Sequence, residues 1–78
     1  MTPAEKHQII VNAFHNNRYG VSPTATRGAV ESFSRKQGLE GKEYTEALES
    51  AMAAGLVAQM ADSGLTIRNA GRNMLPKR

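Results

Sequence analysis

There is no cysteine among the 78 residues. Its absence excludes a disulfide framework, a thiolate zinc site and a cysteine nucleophile, and it fits a reducing compartment, with a cytoplasmic location the expectation. Long apolar runs are missing as well. No stretch approaches the roughly 18–20 residues that span a bilayer, and the opening "MTPAEKHQII" lacks the apolar core of a signal peptide, so no membrane partner is expected. Aromatics are few, two tyrosines and two phenylalanines, and they are not interleaved with basic residues as a single-stranded nucleic-acid or RNA surface would require. A glycine-rich phosphate loop and a His-Glu-x-x-His motif are also lacking, and no serine, histidine and acid group into a nucleophilic set. Neither an enzyme nor a cofactor is expected. His7 and His15 lie eight positions apart, too far to share a metal without a third ligand, so no metal site is expected either.

What is present is one domain's worth of chain, 1–78, with a net charge of +3 and clear punctuation. A domain of this size buries only about 60–65% of the surface its unfolded chain exposes, which leaves little core for elaborate pockets. Thr2-Pro3-Ala4-Glu5 is a helix start, with a capping hydroxyl, a proline where its missing donor costs nothing, and a glutamate placed to close a capping box. His7, Ile10, Val11 and Phe14 follow at helical spacing, so a first helix is predicted over 2–17. Ser22-Pro23 repeats the start signal. The spacing of Thr26, Ala29, Val30 and Phe33 predicts a second helix over 23–37, with Gly38 as a left-handed stop and Leu39 folding back on Phe33. Gly28 inside that helix suggests either a closely approaching backbone, the favoured reading, or a weak helix.

Tyr44, Ala47, Leu48, Ala51 and Met52 have the cleanest helical period in the chain, and they predict a third helix over 42–54 ended by Gly55. A β-hairpin over 56–68 comes next, because Asp62-Ser63-Gly64 supplies a tight turn and Leu65 and Ile67 alternate with polar neighbours. Asn69 is placed to cap a short last helix, and 69–78 is a terminal turn and tail. Met52, Met60 and Met74 read as gap-filling core residues ahead of an adaptable partner groove.

Two helices joined by a short glycine-containing turn, with a hairpin directly after the second, have the order of a winged helix-turn-helix. The residues that carry this are Gly38 and Leu39 in the turn, Tyr44, Ala47, Leu48 and Ala51 on the inward face, and Gly55-Leu56-Val57 at the start of the wing. The stretch "IRNAGRNML" also resembles the segment after the wing in MarR-type regulators, where a leucine-threonine pair precedes an Ala-Gly-Arg and a leucine. The resemblance spans residues 22–75. It implies a mainly α fold: a small winged helix-turn-helix of three helices, a two-stranded wing and a short C-terminal helical turn.

The same resemblance implies that Glu40, Lys42, Glu43, Thr45, Glu46, Glu49 and Ser50 would face a DNA major groove, yet residues 42–55 hold one lysine against three glutamates. Duplex DNA carries a charge about every 1.7 Å of its axis, so each of these carboxylates would meet a dense row of phosphates. That inversion points to a protein-interaction or regulatory adaptor, in which Glu40, Glu43, Glu46, Glu49 and Ser50 dock a basic protein surface. A solvated glutamate-rich helix face is the plainer account of the same residues. The alternative is a DNA-binding regulator that holds phosphates through Arg27, Arg35, Lys36, Arg68, Arg72, Lys77 and Arg78, since residues 65–78 carry four basic residues and no acid. Homodimerisation through the first helix or the terminal turn is a further expectation from the family's habits.

Overall fold

The computed structural model describes residues 2–16, 20–61 and 64–75. In chain order these form helix α1 (Pro3–Asn12), strands β1 (His15–Asn16), β2 (Gly20–Val21) and β3 (Thr24–Thr26), and helices α2 (Arg27–Lys36) and α3 (Gly41–Ala53). Strands β4 (Val57–Gln59) and β5 (Gly64–Ile67) and helix α4 (Asn69–Arg72) complete the order. The architecture is rich in helix, with a three-stranded antiparallel sheet ordered β3-β5-β4 and a separate short ladder of β1 with β2.

The start of α1 follows its sequence signal. The Glu5 amide donates to Thr2 Oγ1 at 3.1 Å and the Thr2 amide donates to Glu5 Oε1 at 3.4 Å, so two otherwise orphaned donors are satisfied reciprocally. Ile10, Val11 and Phe14 are buried as the stripe predicts, and His7 sits half-buried at the edge of the core. The helix stops at Asn12, well before residue 17. Beyond it the backbone turns into β1, where His15 pairs with Val21 and the Ser22 amide donates to the Phe14 carbonyl at 2.7 Å.

The second helix departs more from expectation. Ser22-Pro23 does not open it; instead Thr24, Ala25 and Thr26 pair with Thr66, Leu65 and Gly64, and the Pro23 carbonyl accepts from the Ile67 amide at 3.1 Å. The reason is physical: two threonines flanking an alanine suit a half-buried strand, and without them β5 would present an unpaired edge. Thr26 is therefore the N-cap, its Oγ1 accepting from the Ala29 amide at 3.1 Å, and α2 begins at Arg27. Moving the start also moves the inward face. Val30 and Ser34 are fully buried, Phe33 is half-buried, and Thr26 and Ala29 are exposed.

Both long C-termini close in the same way. After α2 the Leu39 amide donates to the Ser34 carbonyl at 2.8 Å and the Gly38 amide to the Arg35 carbonyl at 3.0 Å, with Gly38 at φ 90°. After α3 the Leu56 amide donates to the Ala51 carbonyl at 3.0 Å and the Gly55 amide to the Met52 carbonyl at 3.1 Å, with Gly55 at φ 77°. Each is a Schellman turn that drops a leucine, Leu39 or Leu56, into the core. Tyr44, Ala47, Leu48 and Ala51 bury the inner face of α3 as their spacing predicts, while Met52 and Met74 fill in against the core from half-buried positions.

The expected hairpin appears as β4 and β5, with Val57 opposite Ile67 and Gln59 opposite Leu65, but β3 joins it, so the sheet has three strands and not the expected two. Leu65 and Ile67 are buried and alternate with half-buried Gly64 and Thr66. The expected turn residues Asp62 and Ser63 lie outside the described residues. Asn69 does not cap α4; Arg68 holds that position and makes no side-chain bond there. Two glycines exchange their expected roles. A Cβ on Gly28 would meet nothing within 4 Å, so the close approach is not there, whereas one on Gly71 would run into the Leu56 carbonyl oxygen and come within 2.9 Å of Ile67 Cγ1.

Candidate functional site

Helix α3 presents the charge that the sequence singles out. Its buried face is fixed by Tyr44, Ala47, Leu48 and Ala51, and everything else on the helix follows from about 100° of rotation per residue. Glu43, Glu46 and Glu49 are three apart, so successive carboxylates step about 60° around the helix and together sweep roughly 120° of its outer surface. They form a curved acidic band. Glu40, at the N-cap without a side-chain cap bond, extends the band at its start, and all four glutamates are exposed.

Among the described residues no arginine answers this charge. Among the described residues the carboxylate that makes an ion pair is Glu46, with Lys42 one turn earlier at 4.0 Å, and those side chains are 63% and 90% exposed. A solvated pair of this kind contributes little and leaves the band negative. Lys42, Thr45 and Ser50, the other positions expected to face a duplex, are exposed too, though Thr45 Oγ1 leans back to donate to the Gly41 carbonyl at 3.3 Å.

Ser50 is placed differently from the glutamates. Its hydroxyl lies 2.8 Å from His7 Nε2, a contact between α3 and α1 across 43 positions of sequence. Around that contact runs a cleft of about 200 Å³ lined by Pro3, Lys6 and His7 of α1 and by Glu46, Ala47 and Ser50 of α3. The cleft is a feature the sequence reasoning missed. Its only foreshadowing lay in His7 ending the inward stripe of one helix and Ser50 flanking that of another, and nothing local says that the two flanks meet.

The basic candidates are exposed but dispersed. Arg27 opens α2, Arg35 and Lys36 lie at its far end, and Arg68 and Arg72 stand one turn apart at α4, with the Arg72 amide bonded to the Arg68 carbonyl at 2.9 Å. Continuing the β3–β5 register puts Arg27 beyond Gly64 and Arg68 beyond Pro23, at opposite ends of the sheet and about 17 Å apart along it at ~3.3 Å per residue. Lys77 and Arg78 lie outside the described residues, as does Tyr19.

Beneath the band, Tyr44 is 6% exposed and its hydroxyl has no hydrogen-bond partner among the described residues. Burial pushes its pKa above 10.0, the Glu31 carboxylate adds to the rise, and Arg27 works against it. Ser34 Oγ is likewise buried without a partner. Among the described residues no three His, Cys, Asp or Glu side chains gather as a metal site, and no helix is long and apolar enough to cross a membrane. Compared with protein-family models, with curated proteins and with solved structures, the chain matches none.

Proposed function

We propose that the chain is a non-catalytic winged-helix binding module whose α3 carboxylates dock a basic surface on a protein partner. The observation that carries this reading is the exposed band of Glu40, Glu43, Glu46 and Glu49, which no arginine among the described residues neutralises. Support for the winged-helix part comes from strand order: β3, between α1 and α2, pairs with the second strand of the hairpin that follows α3. The outer face of α3, with its glutamates, is exposed for a partner to meet. A duplex would meet the band's negative charge, at a cost of about 1 kcal/mol per close like-charge contact in water and about 4 in a partly desolvated groove. A cationic protein surface would meet the same charge with the opposite sign.

The non-catalytic part rests on chemistry. Ser50 and His7 are the nearest approach to a nucleophile and base, and among the described residues no carboxylate hydrogen-bonds His7 to orient it. The test is capture of partners from native lysate by the wild type and by a Glu40→Gln, Glu43→Gln, Glu49→Gln triple variant that keeps Glu46. Loss of the captured proteins from the variant is the expected result; undiminished capture sinks the reading.

Exposure of Arg27, Arg35, Lys36, Arg68 and Arg72 favours a second reading, a DNA-binding regulator that contacts phosphates. It requires affinity that falls steeply with salt and drops when Arg68 and Arg72 become alanine. Titrating a labelled duplex at low salt separates the two. Changing Glu43, Glu46 and Glu49 to lysine should raise duplex affinity if phosphate repulsion governs, and equal binding by wild type and variant would take α3 away from the interface.

A further inference from the structure

The cleft between α1 and α3 meets the acidic band at one residue, Glu46. Two residues of opposite charge line it, Lys6 from one helix and Glu46 from the other, and they do not pair with each other. Lys6 has no ion-pair partner among the described residues, and Glu46 has only its solvated neighbour Lys42. The rest of the lining is the His7–Ser50 pair, bonded to each other at 2.8 Å, and Pro3 and Ala47.

We propose that this cleft binds a small zwitterion of amino-acid size, with its ammonium on Glu46 and its carboxylate on Lys6. Size narrows the choice first. At about 200 Å³ the space is below the roughly 300–1,000 Å³ of sites for drug-sized ligands, a size that suits a molecule of a few heavy atoms. Charge narrows it further. A ligand that carries both charges can meet both walls, its anionic end on Lys6 and its cationic end on Glu46, which a simple anion or cation cannot. The apolar contribution of Pro3 and Ala47 fits a short aliphatic side chain. Because Lys6 and His7 belong to α1 while Glu46 and Ser50 belong to α3, such a ligand bridges the two helices.

The proposal shares Glu46 with the acidic band but needs no second protein, so its ligand titration can fail or succeed whatever partner capture shows. Its test is an amide-resolved NMR titration of the full chain with L-alanine, L-serine and L-valine up to tens of millimolar. N-acetyl-L-alanine, which lacks the ammonium, and L-alaninamide, which lacks the carboxylate, are the controls. The expected result is saturable shifts around Pro3, Lys6, His7, Glu46, Ala47 and Ser50 with the free amino acids. Each control, and each of the variants Lys6→Gln and Glu46→Gln, should bind about two- to fivefold more weakly, the range for one solvent-exposed ion pair. No saturable shift with any free amino acid overturns the proposal, and so does equal binding of either control. Both variants change partly or fully exposed side chains, and an unchanged spectrum away from the cleft verifies that they fold.

Discussion

Residues 27–29 read Arg-Gly-Ala and residues 70–72 read Ala-Gly-Arg, the same three residues in reverse, yet the two glycines do opposite things. At α2, Gly28 faces open space in the first turn of an exposed helix, and its missing side chain only weakens that turn. At α4, Gly71 is buried, and the missing side chain is what lets the helix lie against the carbonyl of Leu56. The Arg68 amide bonds that same carbonyl at 2.9 Å, so α4 is held where β4 begins. Glycine has no fixed meaning in sequence; the wall it faces supplies one.

The comparison can be broken most forcefully at α4. Gly71→Ala drives a methyl group into the Leu56 carbonyl, which is backbone and cannot swing aside, and should cost about 1–3 kcal/mol. Urea unfolding followed by circular dichroism reads it, and a midpoint equal to wild type would mean that α4 does not pack there. Next comes the start of α2. Thr26→Ala removes the hydroxyl that accepts from the Ala29 amide and should cost about 1 kcal/mol in the same assay. No loss would return the helix start to Ser22-Pro23.

Gly28→Ala sharpens the contrast by reversing the sign. With nothing near the added methyl and an ordinary helical backbone, it should raise stability by about 0.4–1 kcal/mol. Destabilisation would reveal a neighbour at Gly28. The smallest effect is confined to alkaline pH, on the α2-facing side of α3. Because Tyr44 holds its proton more tightly folded than unfolded, its contribution is present in full below pH 10 and is lost as pH rises through the raised folded value. Tyr44→Phe should therefore flatten the alkaline fall in melting temperature, and an identical fall in both proteins would mean that another group causes it.

Where one physical signal acted alone, the sequence was a sound guide. The Thr2–Glu5 capping box, the buried stripe of Tyr44, Ala47, Leu48 and Ala51, the stops at Gly38 and Gly55 and the alternation of Leu65 and Ile67 all depend on residues a few positions apart. Residues 22–26 misled because two local signals competed: Ser22-Pro23 resembles a helix start, while Thr24-Ala25-Thr26 suits a strand. The decision belonged to Leu65 and Thr66, some forty residues on, whose edge was there to be paired. The exposure of the four glutamates was readable from helical spacing. The cleft was not, because His7 and Ser50 acquire their relation only when α1 packs on α3.

By itself the sequence determined the start of α1, the glycine stops of α2 and α3, the inward face of α3 and the sign of charge along it, since capping, periodicity and ionisation are set within a turn or two of chain. Tertiary structure alone decided that 24–26 would be a strand, that Gly71 and not Gly28 would need to be small, and that Lys6, His7, Glu46 and Ser50 would share one cleft. Those outcomes depend on which surfaces meet across long stretches of sequence, and burial of the common core chooses among the meetings that local rules leave open.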